Sequence, residues 1–242
     1  MSIVTTPTAP AAVVRLWRLE LDVPGRELDR LARVLMPAEH ERAGRMRFRR
    51  SRDRYVAGRG QLRRVLASLT GARPEELELA TNPFGKPQLP GSGLFFNLAH
   101  CQGRALLAVT TAGRIGVDLE QLRAVPDRDL IAERFFAASE VAAVRRVTPQ
   151  GRDAAFLRCW TRKEAYVKAV GDGLSQSLQD FAVSVDPAEE PRLVWSRIPS
   201  ERLRWSVLDL SDHCPGHLAA AVLEAPRASV CDGRDTTRME CR

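Results

Sequence analysis

Apolar and polar positions along the 242-residue chain change period several times, and each change marks an element. Residues 13–21 alternate, as a strand does, and residues 27–35 repeat at helical spacing. Pro37 to Glu39 open a second helical stretch that runs to about Leu69 and is ended by Gly71. In its later part Tyr55, Leu62, Leu66 and Leu69 form an apolar stripe. Residues 77–80, 94–98 and 105–110 predict strands, with the turn NPFGKP between the first two. A strand at 114–120 is followed by helices near 129–134 and 139–147 and a long helix over 153–170. Strands follow near 181–185, 192–195, 203–209 and 217–223. From Pro226 the chain is polar and lacks period, which predicts a disordered tail over 226–242.

Strand, long helix, then strands therefore occurs twice at about equal length. This order predicts an α+β protein with an N-terminal half at 1–112 and a C-terminal half at 113–225. The length suits one large domain or two small ones, and 44% hydrophobic residues is ordinary for a globular chain.

Charge changes the picture. The net charge is +7, and between Glu41 and Arg64 ten arginines face only Glu41 and Asp53, so the whole excess sits on one helical segment. Such a field attracts phosphate-rich cofactors, an acidic protein surface or nucleic acid. A nucleic-acid reader is disfavoured, because only Phe48 and Tyr55 interleave the arginines and no reader motif is present. Five cysteines without a C-x-x-C pair argue against a disulfide framework and for a reducing compartment. The first residues lack a basic start and a sustained apolar run, so neither signal peptide nor membrane span is expected, and a cytoplasmic location follows. His213 and His217, with one cysteine between them, are too few for a zinc site.

The candidate chemistry is acidic. On a helical wheel Glu164 falls within an apolar stripe of Phe156, Leu157, Trp160 and Val167, where a carboxylate needs a cation or a full set of donors. A private pair with Lys168, four residues on, is the plain alternative. In GRIGVDLEQLR, Asp118 and Glu120 alternate with Ile115, Val117 and Leu119 and so share one strand face. Alone they fit a solvated strand face. With Glu164 they make an oxygen-ligand set suited to Mg²⁺.

These residues resemble the 4′-phosphopantetheinyl transferases of the long monomeric class that serves peptide and polyketide synthases. The resemblance rests on G-x-D-x-E (Gly116, Asp118, Glu120) and W-x-x-K-E-x-x-x-K-x-x-G-x-G-L (Trp160, Lys163, Glu164, Lys168, Gly171, Gly173, Leu174). An N-x-x-H segment (Asn97, His100) and a Gly85-Lys86-Pro87 turn precede them in order. Similar enzymes carry Ser where this chain has Ala99, leaving only the Ala99 N–H for a phosphate contact there.

The resemblance implies two similar α/β halves related by a pseudo-twofold, each a small, mostly antiparallel sheet on a long helix, with coenzyme A between them. It implies transfer of the phosphopantetheine arm of coenzyme A to a serine of an apo acyl or peptidyl carrier protein, by a monomer that needs Mg²⁺. Asp118, Glu120 and Glu164 are then the metal ligands. Glu164, Lys168 and His100 are the catalytic candidates. Arg52, Arg59, Lys86, Ala99, His100, Lys163 and Lys168 are the expected coenzyme contacts.

Overall fold

A computed structural model describes residues 11–171 and 177–233; Gly173 and Leu174 of the second motif lie outside them. In chain order the elements are β1 (Ala12–Glu20), α1 (Gly25–Ala32), α2 (Pro37–Gly44), α3 (Arg49–Thr70), β2 (Ala80–Thr81), β3 (Pro87–Gln88), β4 (Phe95–Cys101), β5 (Arg104–Thr110) and β6 (Ile115–Gln121). They continue with α4 (Arg128–Phe135), α5 (Ala138–Arg146), α6 (Arg152–Val170), β7 (Phe181–Val183), β8 (Leu193–Ser196), α7 (Glu201–Arg204), β9 (Ser206–Asp209), β10 (His217–Leu223) and β11 (Ala228–Asp232). The α+β class and most elements follow the sequence pattern. Residues 203–204 are helical rather than extended, and 77–79 form no strand.

Two sheets carry the fold, with strand orders β11-β1-β5-β4 and β6-β10-β9. Their period-two alternation gives each sheet two apolar faces. Val14, Leu16, Leu106 and Ala108 of the first meet Ile115, Val117, Leu119, Ala219 and Ala221 of the second in a shared core. On the far side of the first sheet, Leu19, Phe96, Leu107 and Val109 pack against Leu62 and Leu66 of α3. On the far side of the second, Leu218, Ala220 and Val222 pack against Phe156, Ala165 and Ala169 of α6. The layers therefore run helix, sheet, sheet, helix.

Edge strands β4 and β6 meet through side chains. Val117 N–H donates to Asn97 Oδ1 at 2.9 Å, and Gln121 N–H to Cys101 Sγ at 3.3 Å. The same four-residue step on both strands sets them running in parallel, with His100 level with Glu120.

The chain end corrects one expectation. Residues 228–232 are not a loose tail but a strand pairing in parallel with β1, from Ala12↔Ala228 to Leu16↔Asp232. Arg18 ion-pairs with Asp232 at 3.0 Å, and Gly233 lies flat on the Trp17 ring, where a Cβ would overlap it. The run Ser229-Val230-Cys231 is too short to show a period. The halves are consequently not contiguous: β11 belongs to the sheet of the N-terminal half.

The basic stretch is also broken. It forms α2 and α3 with an interruption over 45–48, and Gly71 closes α3 in the left-handed conformation (φ 75°). Much of its charge is neutralised internally. Arg54 and Arg50 reach Asp22 at 2.6 and 3.1 Å, Arg64 reaches Glu27 at 2.6 Å, and buried Glu39 takes both Arg59 and Arg63 at 2.5 and 2.7 Å.

Candidate active site between β6 and α6

Gly116 sets the site. Its missing side chain lets α6 lie directly on β6, since a Cβ there would stand 2.1 Å from Ala165 O and 2.3 Å from Ala169 N. Gly116, Asp118 and Glu120 share the β6 face turned to α6. The helix is buried on nearly every side, by the sheet on one and by α4, α5 and β7 on the other. Between Cys159 and Ala169 only Trp160, Glu164 and Lys168 are half-buried. The wheel had placed Glu164 inside a buried stripe; it lies on the strip that opens outward, because the opposite face is filled as well.

That strip meets Asp118. Lys168 Nζ lies 2.5 Å from Asp118 Oδ1, whereas Asp118 Oδ2 is buried with no hydrogen-bond partner. Burial pushes the Asp118 carboxyl up against the opposing pull of Lys168. Glu120 is raised by burial and then by Asp118. Glu164 is raised by burial, then by Asp118 and, more weakly, by Glu120. Asp118 therefore raises both glutamates, and Glu120 adds to the effect on Glu164. The alternative, a private Glu164–Lys168 pair, does not form, because Lys168 is drawn to the more deeply buried Asp118.

The three carboxylates share a neighbourhood but not a ligand geometry. Among the described residues no three Asp, Glu, His or Cys side chains close on a common point. Mutual repulsion opposes closer approach, and the Lys168 ammonium satisfies one oxygen of Asp118 in its stead. The orphaned Oδ2 and the all-oxygen donor set fit a hard divalent cation.

His100, at the end of β4, is exposed and near enough to enter the electrostatics of Asp118. The remaining expected contacts divide. Lys163 is fully buried, pairs with Glu140 at 2.6 Å and donates to Phe181 O at 2.8 Å, on the side of α6 that meets α5 and β7. Its pull is local, because Glu140 also accepts from Val183 N–H and Ala137 N–H. The Ala99 side chain is buried in the core between the sheets.

Lys86 lies at the other end of the contact between β6 and α6. Its ammonium is spent on Ile115 O at 2.7 Å and Lys168 O at 2.6 Å, and burial, then Arg114, holds its pKa down to about 8. Arg59 is committed through Nε to Glu39, and its side chain is 13% exposed. Arg52 is more open, at 45%, with Asp53 4.0 Å away. Neither arginine touches the carboxylate cluster among the described residues.

Sequence reasoning gave no role to Asn97, Asn82 or Arg114. Asn97 joins the two sheets at Val117. Asn82 and Arg114 donate to Gly171 O and Val170 O at the end of α6, at 2.9 and 3.1 Å. The available signal was position: an Asn opening the turn before a Gly-Lys-Pro, and an Arg leading the strand.

Comparison with known proteins places the chain in a family. The family model described as the 4′-phosphopantetheinyl transferase superfamily matches residues 114–222, from the start of β6 to the end of β10. The chain is 39% identical over 214 residues to the 4′-phosphopantetheinyl transferase HetI of Nostoc sp., covering 86% of this chain and 87% of that protein. It is 35% identical over 170 residues to the putative 4′-phosphopantetheinyl transferase slr0495 of Synechocystis sp., covering 68% and 67%. With a 4′-phosphopantetheinyl transferase of Bacillus subtilis it shares 27% over 173 residues, covering 70% and 76%.

Proposed function

We propose a specific reaction for this chain, which belongs to the 4′-phosphopantetheinyl transferase superfamily: the phosphopantetheine arm of coenzyme A passes to a serine hydroxyl of an apo acyl or peptidyl carrier protein, and adenosine 3′,5′-bisphosphate leaves. One observation carries it. Within the segment that matches the family, the Gly116 contact brings α6 onto β6, so that Lys168 of the helix pairs with Asp118 of the strand and Glu164 lies within the electrostatic reach of Asp118 and Glu120.

Phosphoryl transfer of this kind depends on charge neutralisation and in-line placement. Asp118, Glu120 and Glu164 would hold Mg²⁺, which when bound neutralises pyrophosphate charge. Glu164, half-buried on the same strip of α6 as Lys168, is the candidate to take the serine proton, directly or through a water. Lys168, released from Asp118, offers its ammonium to the leaving phosphate. His100, level with Glu120 and exposed, contacts a phosphate from the other sheet. Arg52 and the exposed arginines of α2 and α3 supply the positive surface that an acidic carrier or the coenzyme phosphates would meet.

The two helix-on-sheet units support a pseudo-twofold and a monomer with its cleft between the halves. No described helix is long and apolar enough to cross a membrane. The free thiols of Cys101, Cys159 and Cys214 suit a reducing compartment, and on that ground we place the protein in the cytoplasm.

The test is conversion of an apo carrier by coenzyme A and magnesium, followed by intact mass. The expected product gains one phosphopantetheinyl group, and Asp118→Ala and Glu164→Gln each lose at least about 100-fold in turnover. Rates near that of the unaltered protein in either variant would sink the assignment.

A further inference from the structure

The turn at 82–87 is built to hold one side chain still. Asn82 Oδ1 accepts from Phe84 N–H at 3.0 Å and Lys86 N–H at 2.9 Å, Asn82 N–H donates to Lys86 O at 2.9 Å, and Gly85 supplies the positive φ of 84°. This closed loop points Lys86 at the seam between β6 and α6. Its ammonium bridges Ile115 O and Lys168 O, at 2.7 and 2.6 Å.

Those two carbonyls flank the Gly116 contact. Ile115 immediately precedes Gly116 on the strand, and Lys168 lies beside Ala169, whose N stands against the Gly116 Cα. The last carbonyls of a helix lack partners within it, and cations are favoured there. In α6 these carbonyls are taken by side chains from outside the helix: Lys168 O by Lys86, Val170 O by Arg114 and Gly171 O by Asn82. The turn of the N-terminal half thus fastens the helix that bears Glu164 and Lys168.

We propose that Lys86 is a positioning residue for the transfer, clamping α6 to β6 so that Glu164 and Lys168 are held against Asp118. The proposal rests on the transferase reading above and assigns Lys86 no contact with the coenzyme. A displacement of about 1 Å at a reacting group can cost about 100-fold in rate, so releasing the clamp acts on turnover rather than on binding.

The test compares Lys86→Met and Lys86→Arg in the full chain, with coenzyme A and with 3′-dephospho-coenzyme A as donors. Lys86→Met is expected to lower kcat by about 10- to 100-fold, with KM for coenzyme A within about twofold and an equal loss with the dephospho donor. Lys86→Arg, which keeps two donors, recovers most of the rate. A raised KM with kcat kept, or a loss that disappears with the dephospho donor, would make Lys86 a phosphate contact and overturn the proposal. If Lys86→Met does not fold, Asn82→Ala decides, since it removes one cap without altering charge; it should lower kcat by about threefold or more with KM unmoved, and an unchanged kcat rejects the clamp. Should the unaltered protein transfer no arm, the transferase reading fails by itself. The clamp is then judged by amide hydrogen exchange across residues 165–171, where faster exchange in the variant supports it and unchanged exchange rejects it.

Discussion

Lys168 Nζ sits 2.5 Å from Asp118 Oδ1, across the gap between helix and strand, instead of pairing with Glu164 one turn away on its own helix. An ion pair within a helix is worth a few tenths of a kcal/mol. A nearly buried carboxylate gains more from a cation, and the second oxygen of Asp118 is buried with no hydrogen-bond partner. Lys168→Met should therefore destabilise the metal-free protein by about 1–3 kcal/mol, the range being lowered because the lysine is a third exposed. Urea unfolding at neutral pH measures this. Added magnesium should restore part of the loss, and a variant as stable as the unaltered protein would show that the pair contributes nothing.

Lys163 and Glu140 are the most deeply buried ion pair of α6, at 0% and 1% exposure. Removing one charge leaves the other stranded, so Lys163→Met should cost about 3–5 kcal/mol. Adding Glu140→Gln removes that charge and keeps an acceptor oxygen for the Val183 N–H, so the double variant should recover at least half. Denaturant unfolding of the three proteins checks the order. KM for coenzyme A should be unmoved in the double variant, because Lys163 faces α5 and β7; a rise would return it to the coenzyme site.

Glu224 gives a pH signature. Arg114, hydrogen-bonded to it, and then Arg204, bring its carboxyl down from 4.5 to about 2. A carboxylate lowered in the folded state contributes stability above its unfolded value, and that contribution fades as pH falls from 4.5 towards 2. Glu224→Gln should cost about 1–2 kcal/mol at neutral pH, a figure reduced for its partial exposure. The gap between variant and unaltered protein should close by about pH 2. A gap independent of pH would assign the effect to packing around Arg114 instead.

The elements were legible where side chains alternate or repeat regularly, as in β6 and α6. Charge pairing was not. Ten clustered arginines suggested a surface for polyanions, yet Glu39, Asp22 and Glu27, from other elements, claim five of them. Lys163 and Lys86 stand in motifs beside the acidic residues, yet their ammonium groups go to Glu140 and to two backbone carbonyls. Sequence spacing tells which face of a helix a residue occupies, but not what lies opposite that face. Glu164 shows the same limit: the wheel found its apolar neighbours correctly and could not tell that α6 is covered on both sides, leaving its strip as the open one.

The parallel pairing of β11 with β1 has a consequence for synthesis. Arg18 and Asp232 lie 214 residues apart in the chain yet form one ion pair. While the ribosome is still adding the intervening segments, β1 has β5 on one side and a bare row of amides and carbonyls on the other. That row is covered only once residues 228–232 have emerged. Until then the nascent chain carries an adhesive border, and its closing is among the last events of folding.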